Sequence, residues 1–71
     1  DAADEAAVWL IRSMTLPGGA AVRDWLAGKP EALPDPNFWK AAHTELTRLG
    51  VYSGKIASKA NSETMAALFK L

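Results

Sequence analysis

The sequence predicts an all-α fold, a compact bundle of three main helices plus one short helix, forming a single domain over residues 1–71. Three observations lead there. In four segments the apolar residues recur three and four positions apart, which gathers them into one stripe along a helix. Between those segments stand helix breakers, "LPGG" at 16–19, "KPEALPDP" at 29–36 and "VYSGK" at 51–55. Two segments also open on start signals, Asp35 followed by Pro36, and Asn61 or Ser62 before the last apolar run.

The first helix is expected from about Asp4 to Met14. Asp1, Asp4 and Glu5 lie near its positive end, where negative charge is favoured. At ~100° per residue, Ala6, Ala7, Leu10, Ile11 and Met14 share a face, while Trp9 falls opposite, among Glu5, Arg12 and Ser13. The second helix, "AAVRDWLAG", turns Ala21, Val22, Trp25 and Leu26 inward and Arg23 and Asp24 outward. Gly28 is expected to close it with a positive φ. "KPEALPDP" holds three prolines, which exclude regular structure. Its apolar Leu33 predicts an extended connection pinned to the core rather than a loose linker.

The third helix has the clearest start. Asp35 can accept a backbone N–H as N-cap, and Pro36 occupies the first helical position, where its missing N–H costs nothing. Phe38, Trp39, Ala42, Leu46 and Leu49 share its inner face; Lys40, Thr44, Thr47 and Arg48 take the other, and Gly50 ends it. A turn at Gly54 leads to a short fourth helix, capped by Asn61 or Ser62, that contributes Met65, Leu68 and Phe69.

Composition bounds what such a bundle can do. With 49% apolar residues the chain can build one core, and with no cysteine it has neither disulfides nor thiolate metal sites. No apolar run is long enough to span a bilayer. The net charge is zero but unevenly spread. Asp1, Asp4, Glu5, Asp24, Glu31 and Asp35 outweigh Arg12, Arg23 and Lys29 in the first half. Lys40, Arg48, Lys55, Lys59 and Lys70 outweigh Glu45 and Glu63 in the second. These bases are dispersed, which argues against a nucleic-acid footprint while leaving a mildly basic half able to meet an anionic polymer. The opening "DAADEAA" carries neither a methionine nor a basic-then-apolar leader, which predicts a mature form or a domain excised from a larger protein.

Catalytic signatures are missing. His43 is the only histidine, with no metal-ligand companions, and Glu45 two residues on does not share its helix face. His43 is expected at the border of the apolar face, stacked on Trp39. "PGGAAVRD" lacks the lysine and preceding strand of a phosphate loop. The reading is therefore a non-enzyme with no cofactor and no metal. Of the three tryptophans, Trp25 and Trp39 are accounted for as core. Trp9 could lie under Arg12, pack against residues 29–36, or stack on a ligand ring. Packing against 29–36 is favoured, since an indole in a small bundle is rarely left wholly exposed.

Residues 38–71 resemble the type 1 peptidoglycan-binding domain. That family ends one helix at "LG", follows it with an aromatic, a glycine and an isoleucine, and opens the next helix on a threonine. The matching residues here are Leu46, Leu49, Gly50, Tyr52, Gly54, Ile56, Thr64, Ala67, Leu68 and Leu71, in register without a gap. The resemblance implies that Ile56 plugs between the helices and that the Thr64 hydroxyl serves backbone groups in the first turn. Where the family has an Asp-Gly pair and a further glycine, this chain has Ala57, Ser58 and Asn61, the last able to take glycine's left-handed conformation.

The function implied is non-catalytic recognition of peptidoglycan, targeting an attached hydrolase or phage protein to the wall. The location implied is periplasmic, wall-associated or extracellular. Binding would use Tyr52, Ser53, Lys55, Lys59 and Asn61, with Tyr52 stacking on a sugar or stem peptide and the lysines pairing with carboxylates. The competing structural roles are that Tyr52 fills the gap between helices and the lysines are simply solvated. A rival reading is a helical protein-docking module whose interface is Trp9 with Glu5 and Arg12. A DNA reader built on the fourth helix is opposed by that helix's single base, Lys70.

Overall fold

The computed structural model describes residues 2–71, and of Ala32 the backbone alone. Four helices follow in order, α1 (Ala2–Ser13), α2 (Gly19–Gly28), α3 (Pro36–Arg48) and α4 (Ser62–Leu68), with a 3-10 turn at Pro30–Ala32. No strand forms among the described residues. Asp1, expected near the positive end of the first helix, lies outside them. α1 lies along α3 as the principal pair, α2 touches α1 and α4, and α4 also touches α3. The radius of gyration is 10.6 Å. A well-packed chain of this length is expected near ~11 Å, so the connections are folded down rather than looped out.

The core gathers from every helix. Ala7 and Ile11 of α1, with Met14 in the turn just after it, meet Leu26 of α2, Phe38, Trp39, Ala42 and Leu46 of α3, and Ala67 and Leu68 of α4. Leu10, Val22, Leu33 and Met65 cover its edges. Each fully buried leucine or isoleucine contributes about 1.5–3 kcal/mol of transfer energy. That is what makes short helices such as α2 and α4 stable, since neither could persist alone.

Two glycines act through space or backbone. α1 winds down in tight turns, Met14 N–H to Ile11 O, Thr15 N–H to Arg12 O and Leu16 N–H to Ser13 O. α2 then starts directly against that end. A Cβ at Gly19 would stand 2.2 Å from Ser13 O and 2.6 Å from Met14 Cα, so only glycine lets the two helices approach. Gly50 follows α3 at φ 81. It donates to Thr47 O while Val51 donates to Leu46 O, the paired bonds of a Schellman stop. The start of α3 is as expected, with Asp35 accepting from Asn37 N–H at 2.8 Å and Pro36 at the first position.

Several expected positions are corrected. Gly28 has no positive φ; α2 ends because Lys29 precedes a proline and adopts φ −141, its N–H bonded back to Trp25 O and Leu26 O. Residues 30–32 form a 3-10 turn, not an extended run. Trp25 is 49% exposed, because α2 turns Gly19 and Leu26 inward and leaves the indole on its flank. Ala6 and Ala21 are exposed as well. Ile56 is 45% exposed and plugs nothing; Tyr52 occupies the interior in its place. Phe69 lies outside under the Arg23 guanidinium, 4.6 Å from its ring centre. Trp9 is 71% exposed and does not pack on residues 29–36. Trp39 takes that role, and Arg12 turns to Glu45 instead of covering Trp9.

Candidate loop site

The loop from Val51 to Asn61 carries the predicted binding residues, and its course is dictated from below by α3. His43, expected at the border of the apolar face, is fully buried. Its ring stacks on Tyr52, with centroids 4.6 Å apart, and only tilts toward Trp39 at 6.2 Å. Nδ1 lies 2.9 Å from Ala57 O, and Nε2 lies 2.6 Å from Thr64 Oγ1. A carbonyl can only accept, so Nδ1 carries a proton and donates to Ala57 O, while Nε2 shares a hydrogen bond with the Thr64 hydroxyl, which also faces Asn61 Oδ1 at 3.2 Å. That hydroxyl also accepts Asn61 N–H at 3.0 Å, while Thr64 N–H donates to Asn61 Oδ1 at 2.9 Å. This is a reciprocal capping box at the start of α4.

Three fastenings therefore hold eleven residues of loop without regular structure. Tyr52 donates its phenol to Lys55 O, His43 binds Ala57 O, and Asn61 is locked to Thr64. No buried side-chain nitrogen or oxygen is left unpaired among the described residues. A hydroxyl 2.6 Å from an imidazole has the geometry of a nucleophile and its base, but Thr64 and His43 are both wholly buried. No substrate reaches them, and the pair acts as a brace.

The predicted binding residues separate accordingly. Tyr52 is 5% exposed with its face against His43, so it cannot stack on a ligand ring. Asn61 stays extended at φ −140 rather than left-handed, and its side-chain oxygen is used by the cap. Ser53, Lys55 and Lys59 are exposed, and neither lysine has an ion-pair partner among the described residues. Lys59 alone reaches a concavity. A cleft of about 310 Å³ runs between the Pro30–Pro34 segment and the Ser58–Ala60 stretch, over the edge of Trp39. Trp39 builds it by donating its indole N–H to Leu33 O at 2.6 Å, which pins the proline segment onto α3. Pro30, Glu31, Leu33 and Pro34 were not foreseen as site residues; the signal available was an apolar Leu33 amid prolines.

The residues of the rival interface also divide. Trp9 and Glu5 are exposed on α1. Arg12 is tied to Glu45, which is buried on α3 and held also by Arg48 at 2.9 Å. The Arg48 hydrogen bonds, with those of Arg12, hold the Glu45 carboxyl below the usual carboxylate range despite its burial. No helix among the described residues is long and apolar enough to cross a membrane. Neither a protein family, a curated protein nor a solved structure matches the chain.

Proposed function

We propose that the chain is a non-catalytic module that binds the peptidoglycan wall and targets an attached hydrolase or phage protein to it. One observation carries this reading. The 51–61 loop is braced from inside by His43, Tyr52 and Thr64, yet it displays Ser53, Lys55 and Lys59 to solvent without ion-pair partners. A fixed loop loses little entropy on binding, and two unpaired ammonium groups suit the carboxylates of wall stem peptides. The test is co-sedimentation of the folded domain with purified sacculi across a salt series. Retention at low salt that fades as salt rises is expected, because exposed charge contacts are screened within about 8 Å at physiological ionic strength. A folded domain left wholly in the supernatant at low salt would remove the reading. In that setting the domain works outside the cytoplasm, in the periplasm, wall or extracellular space.

A second reading has its own observation. Trp9 stands 71% exposed on α1, and large aromatics at the centre of interfaces carry much of their binding energy. On this reading α1 docks the domain onto a protein neighbour.

A further inference from the structure

A reader of the wall could hold its glycan strands or its peptides, and the Trp39 cleft discriminates between them. Resting on the wall-binding reading above, we propose that the cleft between Pro30–Pro34 and Ser58–Ala60 binds the stem peptide. Small side chains would lie on the prolines and Leu33, a carboxylate at Lys59 and an ammonium at Glu31.

Size is the first ground. About 310 Å³ is at the small end of ligand clefts, which run from roughly 300 to 1,000 Å³. It seats one or two small residues, not a run of sugars. Lining is the second. Sugar rings are held by open aromatic faces and by many hydrogen-bonding groups. Here Trp39 is 3% exposed and its N–H is already given to Leu33 O, while Tyr52 is covered by His43. What the cleft offers instead is apolar surface from Pro30, Leu33, Pro34 and Ala60, which suits the methyl groups of alanine. Charge is the third. Glu31 and Lys59 line the cleft from its two bordering segments, both exposed and both without an ion-pair partner among the described residues. A stem peptide carries carboxylates and a diamino-acid ammonium on one short chain, the complement of that pair; a neutral glycan carries neither. The wider furrow between α1 and α3, about 450 Å³ and lined by Asp4, Lys40, Thr44 and Glu45, has little apolar seat beyond Val8 and Ala41.

The experiment is a nitrogen-15 NMR titration of the folded domain with three probes. They are the synthetic pentapeptide L-Ala-γ-D-Glu-L-Lys-D-Ala-D-Ala, the same peptide ending in L-Ala-L-Ala, and tetra-N-acetylglucosamine. The D-terminated peptide should shift the Trp39 indole N–H and the amides of Ser58, Lys59 and Ala60, and the tetrasaccharide should not. Lys59→Glu and Glu31→Lys are surface changes that should leave the spectrum folded and weaken the peptide by about two- to fivefold each, as expected for exposed charge contacts. Shifts by the glycan with a silent peptide would overturn the stem-peptide assignment; if sacculi still retain the domain, wall binding itself survives. Equal response to the two peptides would place the contact on their shared L-Ala-γ-D-Glu-L-Lys segment, as the charge pairing with Lys59 and Glu31 expects, whereas silence from both would overturn the proposal. Loss of sacculus retention in the parent domain is the separate failure, and it removes the wall reading itself.

Discussion

The imidazole of His43 lies flat against the phenol ring of Tyr52, with centroids 4.6 Å apart and planes 16° from parallel. Their two polar ends reach different points of one loop, His43 to Ala57 O and Tyr52 to Lys55 O. The stack therefore makes the loop part of the core. Tyr52→Ala should cost about 3–5 kcal/mol, the range for deleting a buried aromatic. Tyr52→Phe keeps the stack and loses one hydrogen bond, so about 0.5–1.5 kcal/mol is expected. Urea melts of the two variants give that order; equal, negligible losses would mean the ring does not anchor the loop.

Leu46 is the wholly buried centre of the inner face of α3. Leu46→Ala should cost about 2–5 kcal/mol, a large part of the ~5–15 kcal/mol that domains possess. A thermal melt superimposable on the parent's would contradict the α3 core.

Two glycines at the two ends of α2 should respond with opposite sign. At Gly19 a Cβ would collide with the α1 backbone, so Gly19→Ala should destabilise by about 1–3 kcal/mol or more. At Gly28 a Cβ meets nothing within 4 Å and φ is not positive. Gly28→Ala should therefore be neutral or stabilise by about 0.4–1 kcal/mol through the unfolded chain. Chemical denaturation of both variants checks the contrast, and equal effects would remove the close approach of α1 and α2.

Glu45 ties α1 to α3 through Arg12 and Arg48, and these partners keep its carboxyl below the usual range. A carboxylate lowered on folding adds stability that is complete above its unfolded value, about 4.3, and is lost as pH falls through the folded value. Both arginines are more than half exposed, which screens the pair and keeps the contribution modest. The domain should weaken below about pH 4.3, and Glu45→Gln should flatten that part of the acid limb. An unchanged acid limb in Glu45→Gln would show that other carboxyls set it.

Local signals were legible where chemistry is local. Asp35-Pro36 specified the start of α3, Gly50 its end, and Asn61 the start of α4. Face assignments held on α3 for Phe38, Trp39, Ala42 and Leu46, while Leu49, expected beside them, is 36% exposed just past the helix end. They failed where burial depends on what arrives from elsewhere in the chain. Periodicity made Trp25 and Phe69 core, and the family resemblance did the same for Ile56, but a bundle this small has no second layer to cover a flank. His43 was read as a border residue because its partners, Ala57 and Thr64, are distant in sequence, and the burial of Glu45 went unread because Arg12 reaches it from another helix. The cleft was illegible for the same reason, being lined by two segments, residues 30–34 and 58–60, that are distant in sequence.

The wall reading and the docking reading use opposite sets of residues, so one pair of variants separates them. Trp9 is 71% exposed, and Trp9→Ala should change stability by no more than about 0.5 kcal/mol. It should also remove the most quencher-accessible part of the fluorescence, since Trp39 is buried. A large stability loss would make Trp9 a packing residue and end the docking reading. With stability intact, sacculus retention discriminates. If Lys55 and Lys59 make the contact, the double variant Lys55→Glu, Lys59→Glu should lose retention at low salt while Trp9→Ala keeps it, with helical circular dichroism in both. If Trp9→Ala abolishes retention and the lysine variant does not, the contact runs through α1 and the loop is only part of the scaffold. The loop is favoured because its backbone is braced at Lys55 O, Ala57 O and Asn61, so presenting Lys55 and Lys59 to a ligand costs little backbone entropy.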